Sequence, residues 1–269
     1  YWTIEREFAS YNRFIVDNGG KETLSAIFAL PNYIDIHAEE KVASFKKYLE
    51  TNFVNKKYVV LEINKLLILW EYSRKGEKNL HKKYVDSIIE ALHVLGYGIA
   101  PNYNIDKKRF SFSDKVVIYQ NSEQAKVGMN NAYARMEVFV KMAAQIIYSN
   151  NQTIEDNIYV CSYISNQVDN EINKKQLSAY FEWLLIDKQR FDSKLKDVIP
   201  LLFNEFQRIE TCEALIGLCC VGGNVNTKRV EIVKKTLPLW GIDNTDIHSR
   251  IHRILTGEID NFVTIEKQS

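Results

Sequence analysis

The stretch Arg208-Ile-Glu-Thr-Cys-Glu-Ala-Leu-Ile-Gly-Leu-Cys-Cys-Val-Gly222-Gly-Asn-Val-Asn-Thr-Lys-Arg-Val-Glu-Ile-Val-Lys-Lys-Thr-Leu-Pro-Leu-Trp-Gly241 decides the fold. Ala214, Leu215, Leu218 and Val221 recur at helical spacing and run into Gly222-Gly223-Asn224, which reads as a helix stop and turn. Val230, Ile232, Val233 and Leu237 then form the apolar side of a second, amphipathic helix, closed by Gly241. Helix, glycine turn, helix and glycine stop follow one another with no reactive group standing out.

Upstream the same grammar recurs. Met136, Phe139, Val140, Ala143, Ile146 and Ile147 form one apolar stripe, a polar loop follows, and Ile154 to Val168 reads as a second helix. Ala143 to Ile154 aligns with Ala214 to Val225 without a gap, a weak internal repeat of helix-loop-helix units. Between the copies, Gln176 to Phe206 supplies further core residues, among them Leu177, Phe181, Trp183, Leu184, Leu202 and Phe203.

Towards the N-terminus, apolar periodicity predicts helices over Trp2–Val16, after Lys21, over Ala38–Phe53, over Val59–Tyr72 and over Tyr84–Leu95, the last capped by Gly96 or Gly98. The section from Ile99 changes character. Phe110 and Phe112 alternate with serines, Ser113-Asp114 can turn, and Val116 to Tyr119 is β-branched and aromatic, so a short β-hairpin or connector is expected near 109–120. Phe262-Val263-Thr264-Ile265 is similar and is the expected pairing partner. The predicted fold class is all-α, a mostly helical bundle with this short connector. The expected domains are 1–125, helical with the connector, and 126–269, a bundle of two helix-loop-helix units.

Composition narrows the function. The 269 residues are 46% hydrophobic, enough for a substantial core, and 35 Lys plus Arg nearly cancel 34 Asp plus Glu. No overall field draws the chain to nucleic acid or an anionic membrane. Cys161, Cys212, Cys219 and Cys220 lack Cys-x-x-Cys spacing and read as buried small hydrophobes in a reducing compartment. The opening Tyr1-Trp2-Thr3 carries no signal-peptide pattern and reads as an excised piece of a longer chain, and no segment is apolar enough to span a bilayer.

Motifs with chemistry are few. His248 and His252 share a helix face at four-residue spacing, but Ser249 stands where a Glu would complete a zinc motif, so a surface pair is expected. Gly222-Gly223-Asn224 lacks the Lys and Ser or Thr of a phosphate loop. The run Arg74 to Lys83, flanked by Tyr72 and Tyr84, resembles a nucleic-acid surface but is expected to be a solvated helix-helix turn.

Three segments resemble a family: Leu218-Cys-Cys-Val-Gly-Gly-Asn-Val-Asn226, the helix from Lys228 to Asp243, and Ile247-His-Ser-Arg-Ile-His-Arg-Ile-Leu-Thr-Gly257 are similar to the TerB-like domain associated with tellurite resistance. Leu95-Gly-Tyr-Gly-Ile-Ala-Pro-Asn-Tyr103, Lys115-Val-Val-Ile-Tyr119, Phe181-Glu-Trp-Leu-Leu185 and Phe262-Val-Thr-Ile265 resemble segments of long bacterial proteins in which that domain lies between TerB-N and TerB-C modules. The resemblance covers roughly Ala91 to Glu266. It implies a helical bundle in the cytoplasm, within stress-response or phage-defence assemblies that include ATPases and helicases. It also implies a divalent-metal loop, Asp-Gly followed by a helical Glu. The matching positions are Gly222-Gly223 with Arg229, and Asn151-Gln152 with Ile158, so the carboxylates are missing in both copies and no metal or other cofactor is expected.

The resulting expectation is a non-enzymatic scaffold or sensor module that works through protein contacts. Its expected interaction surface is Arg74, Lys75, Lys78, Lys82 and Lys83 together with Lys228, Arg229, Lys234 and Lys235. No residue is assigned to catalysis, cofactor or metal. The alternatives are a divalent-metal-responsive module and a nucleic-acid-binding module.

Overall fold

The computed structural model describes residues 38–69, 80, 82–101, 110–121, 130–148, 152–187 and 195–258. The expected helices at Trp2–Val16 and after Lys21, and the expected strand Phe262–Ile265, lie outside the described residues. The chain divides into two compact units, Tyr1–Gln124 and Ala125–Ser269. Its described elements are predominantly helical, with one small sheet.

The first unit contains α1 (Ala38–Phe53), β1 (Tyr58–Glu62), α2 (Ile63–Leu69), α3 (Lys82–Val94), β2 (Tyr97–Ala100) and β3 (Lys115–Gln120). Phe45, Leu49 and Phe53 line one side of α1, and Val85, Ile88, Ile89 and Leu92 line one side of α3. Both stripes join a core with Val59, Leu61, Ile99, Val116 and Ile118, alternate residues on one face of the sheet. Gly96 ends α3 with φ +81°, a left-handed position that glycine takes without strain.

One expectation is corrected here. Val59–Tyr72 does not begin as a helix: Tyr58–Glu62 is a strand, and only Ile63–Leu69 is helical before the described residues break off. Exposure alternates along β1, with Val59 and Leu61 buried and Val60 exposed, the two-residue period of a strand edge. The short β element expected near 109–120 is present as β3. Phe110 and Phe112 lie outside the sheet, where Ser111 and Asp114 close a turn through Ser111 N–H and Oγ donating to the Asp114 carboxylate at 2.9 and 2.8 Å. β3 forms the centre of an antiparallel sheet in the order β1-β3-β2, with Val60 opposite Val117 and Ile99 opposite Ile118.

The second unit comprises α4 (Asn131–Tyr148), α5 (Ile154–Gln167), α6 (Glu171–Asp187), α7 (Leu195–Leu202), α8 (Glu205–Gly217), α9 (Thr227–Thr236) and α10 (Ile247–Leu255). Short 3-10 turns at Val221–Gly223 and Leu237–Trp240 bracket α9. The central helix is α4, which packs against α5, α6, α7, α8 and α9 and buries Tyr133, Met136, Phe139, Val140, Ala143, Ile146 and Ile147. The Phe139 ring of α4 lies 4.4 Å from that of Tyr163, and elsewhere in the unit Phe203 meets Trp240 edge-on at 4.9 Å. Among the described residues, no helix is long and apolar enough to cross a membrane.

Candidate functional site

Two helix starts and one helix end meet in the second unit, and the meeting is built from capping residues. Thr153 caps α5: its side chain accepts from Asp156 N–H, and the Asp156 carboxylate accepts from Thr153 N–H at 2.9 Å. That reciprocal pair satisfies two amides that the first turn would otherwise leave open. Asn226 caps α9 in the same way, with its side-chain oxygen accepting from Arg229 N–H at 3.2 Å. Here the pair cannot close, because a guanidinium only donates and has nothing to offer Asn226 N–H.

The freed Arg229 side chain crosses to the other corner. Its two terminal nitrogens donate to the two oxygens of Asp156 at 2.5 and 2.6 Å, and one of them also donates to the Leu218 carbonyl at 2.9 Å. The side chains are 4% and 0% exposed, so this is a desolvated, bidentate pair. Position makes the pairing physically necessary. A carboxylate in the first turn of α5 is favoured by the helix dipole, whereas a cation in the first turn of α9 is disfavoured unless an anion compensates it. The Leu218 carbonyl at the end of α8 adds a second favourable helix terminus.

Above the pair lies a cleft of about 180 Å³ lined by Thr153, Val221, Asn224, Val225 and Asn226 as well as Asp156 and Arg229. Gly222 and Gly223, with φ of +81° and +80°, turn the chain into it, and a Cβ on either would meet open space. They are required there by backbone conformation rather than crowding. Gly217 has the opposite reason: a Cβ there would collide with the Tyr159 hydroxyl, which donates to the Ala214 carbonyl at 3.0 Å.

A divalent ion does not fit this cleft. Asp156 is its one carboxylate, both oxygens are taken by Arg229, and a cation would share the space with a guanidinium. Among the described residues no group of three or more His, Cys, Asp or Glu is placed to hold a metal. His248 and His252 are both exposed on α10. Burial pushes the Cys219 thiol up to about 12 and Cys220 to about 11, and it raises Cys212 too, so these buried thiols stay protonated at neutral pH. Burial likewise raises the Tyr159 and Tyr163 hydroxyls.

The expected interaction residues fall into three groups. Lys228 and Lys235 are exposed on α9, and Lys234 is half-buried beside Glu231. Arg74, Lys75 and Lys78 lie outside the described residues, and Lys82 and Lys83 open α3. Arg229 is a correction: at 3% exposure it is an internal residue and offers no contact surface. The ungapped repeat does not pair Arg229 with Asp156, because it sets Arg229 against Ile158. Aligning the caps Thr153 and Asn226 instead makes the second connection two residues longer and sets Arg229 against Asp156. The signal was present as Thr153-x-x-Asp156, a capping pattern that directs the carboxylate back to its own helix start.

No family model, no curated protein and no solved structure matches this chain.

Proposed function

We propose that the second unit is a non-enzymatic scaffold or sensor module, TerB-like in kind, that serves a bacterial stress-response or phage-defence assembly through contacts with other proteins. The observation that supports this reading is the Asp156–Arg229 pair. It fills the one cleft position where a carboxylate stands with an internal cation, which turns a potential ion-binding corner into a fixed joint between α5, α8 and α9. A joint of this kind preserves the shape of an outer surface, and Lys228 and Lys235 present exposed charge on α9 beside it. ATPases or helicases of a defence assembly are the partners the family resemblance supplies.

The test is affinity capture of the full chain from its native host with Lys228→Glu, Lys234→Glu and Lys235→Glu combined. Loss of captured proteins relative to the wild-type chain is expected, with an unchanged melting temperature. Retention of every partner sinks the proposal.

A further inference from the structure

The corner between α7 and α8 turns large apolar side chains into water. Leu201 in the last turn of α7 is 84% exposed, Phe206 in the first turn of α8 is 74% exposed, and Ile209, one turn further on, is 42% exposed. Only Phe203 and Asn204 separate the two helices. Phe203 faces inward and is 4% exposed against Trp240, so the inner side of the corner is already filled. The three outer side chains leave on the order of 300 Å² of apolar surface in water, the scale at which a monomer's patch begins to mark a contact site.

Charge gives this patch a sign. Asp197 lies four residues before Leu201 on α7, and Glu205 four before Ile209 on α8, so each carboxylate shares a helix face with an exposed apolar residue. Both acids are exposed. The other charges of α8 are committed elsewhere. Glu210 accepts from Gln167 at 2.7 Å, Glu213 is held by Arg250, and the Arg208 guanidinium reaches the Gly241 turn.

We propose that this corner docks an amphipathic helical segment of a partner protein whose apolar side chains alternate with Lys or Arg. The proposal rests on the reading of the chain as a protein-contact module and adds the chemistry of the partner. Two copies of the chain meeting face to face would oppose Asp197 and Glu205 to the same carboxylates across the contact, which disfavours self-association. Anionic lipid is repelled for the same reason. A basic partner satisfies both the apolar patch and its acidic flank.

Fluorescence anisotropy on the full chain tests this, with a labelled synthetic amphipathic helix of Leu and Lys as probe and the same peptide with Glu for Lys as control. The Leu/Lys peptide is expected to bind, and the Glu version to bind at least about tenfold more weakly. Leu201→Ser with Phe206→Ser should weaken the Leu/Lys peptide about tenfold or more, and Asp197→Asn with Glu205→Gln by a smaller factor. Both pairs should leave the melting temperature unchanged. Absent binding, equal binding of both peptides, or wild-type affinity in both variants overturns the assignment. Sedimentation of the wild-type chain as a dimer that Phe206→Ser dissolves overturns it too, in favour of a second copy. The chain with Lys228, Lys234 and Lys235 reversed should bind the peptide as the wild type does. If it loses its native partners yet still binds, the two surfaces are separate. If native partners depend on α9 while the peptide fails to bind, the corner assignment alone falls.

Discussion

The two helix starts at Thr153 and Asn226 use one local device and reach different outcomes. Each begins with a short polar cap and places a charged residue three positions later. At Thr153 that residue is Asp156, an acceptor that can return to its own helix start, and the corner closes on itself. At Asn226 it is Arg229, a donor that cannot, and the side chain must find its acceptor elsewhere. The comparison teaches that a local mismatch between cap and side chain became a tertiary joint: the group one corner cannot satisfy is supplied by the other.

The strongest way to break that equivalence is to remove one charge. Arg229→Ala strands Asp156 without water, and Asp156→Ala strands Arg229, so each should lower the unfolding free energy by about 3–5 kcal/mol in urea denaturation. Asp156→Leu with Arg229→Met should stand closer to wild type than either single change, because no buried charge is then left unpaired. A double variant as unstable as the two singles added together would mean that the two corners act independently.

Gly217→Ala probes how closely α5 and α8 approach away from the ion pair. The added methyl meets the Tyr159 hydroxyl, and a loss of about 1–3 kcal/mol is expected. Tyr159→Phe in the same chain removes the obstructing oxygen, so thermal melts should show the pair of changes losing less than the sum. Smaller effects belong to the caps. Thr153→Ala and Asn226→Ala should each lower stability by about 1 kcal/mol, and Thr153→Ala should lose more, since it breaks a closed capping pair that also orients Asp156. Equal losses at both sites would remove that distinction. Smallest of all, Lys228→Ala and Lys235→Ala should shift stability by less than about 0.5 kcal/mol, because both side chains are exposed.

The helical framework was legible because apolar side chains repeat at 3–4 residues with little interruption. Ala38–Phe53 matches its expected bounds, and the segment expected as Ile154–Val168 differs only in that Val168 is the cap rather than the last helical residue. β1 was not legible: Val59, Val60, Leu61 and Ile63 present the same apolar density to a helix or a strand, and the decision came from β3, more than fifty residues away in sequence. The ion pair was hidden for a related reason. Arg229 looks like one more cation among Lys228, Lys234 and Lys235, and it stands opposite Asp156 only when the connection before Asn226 is read as two residues longer than the one before Thr153.

The strand order of the first unit has a consequence for how the protein is born. β1 and β2 are both bonded to β3 and not to each other, and β3 is the last of the three to be synthesised. A nascent chain that has emerged only as far as Ala100 therefore holds two strands with no partner in this sheet, each with an apolar face. Until Lys115–Gln120 arrives the sheet does not exist in any part, so for that interval the young chain must rely on α1 and α3, or on a chaperone, to shield Val59, Leu61 and Ile99.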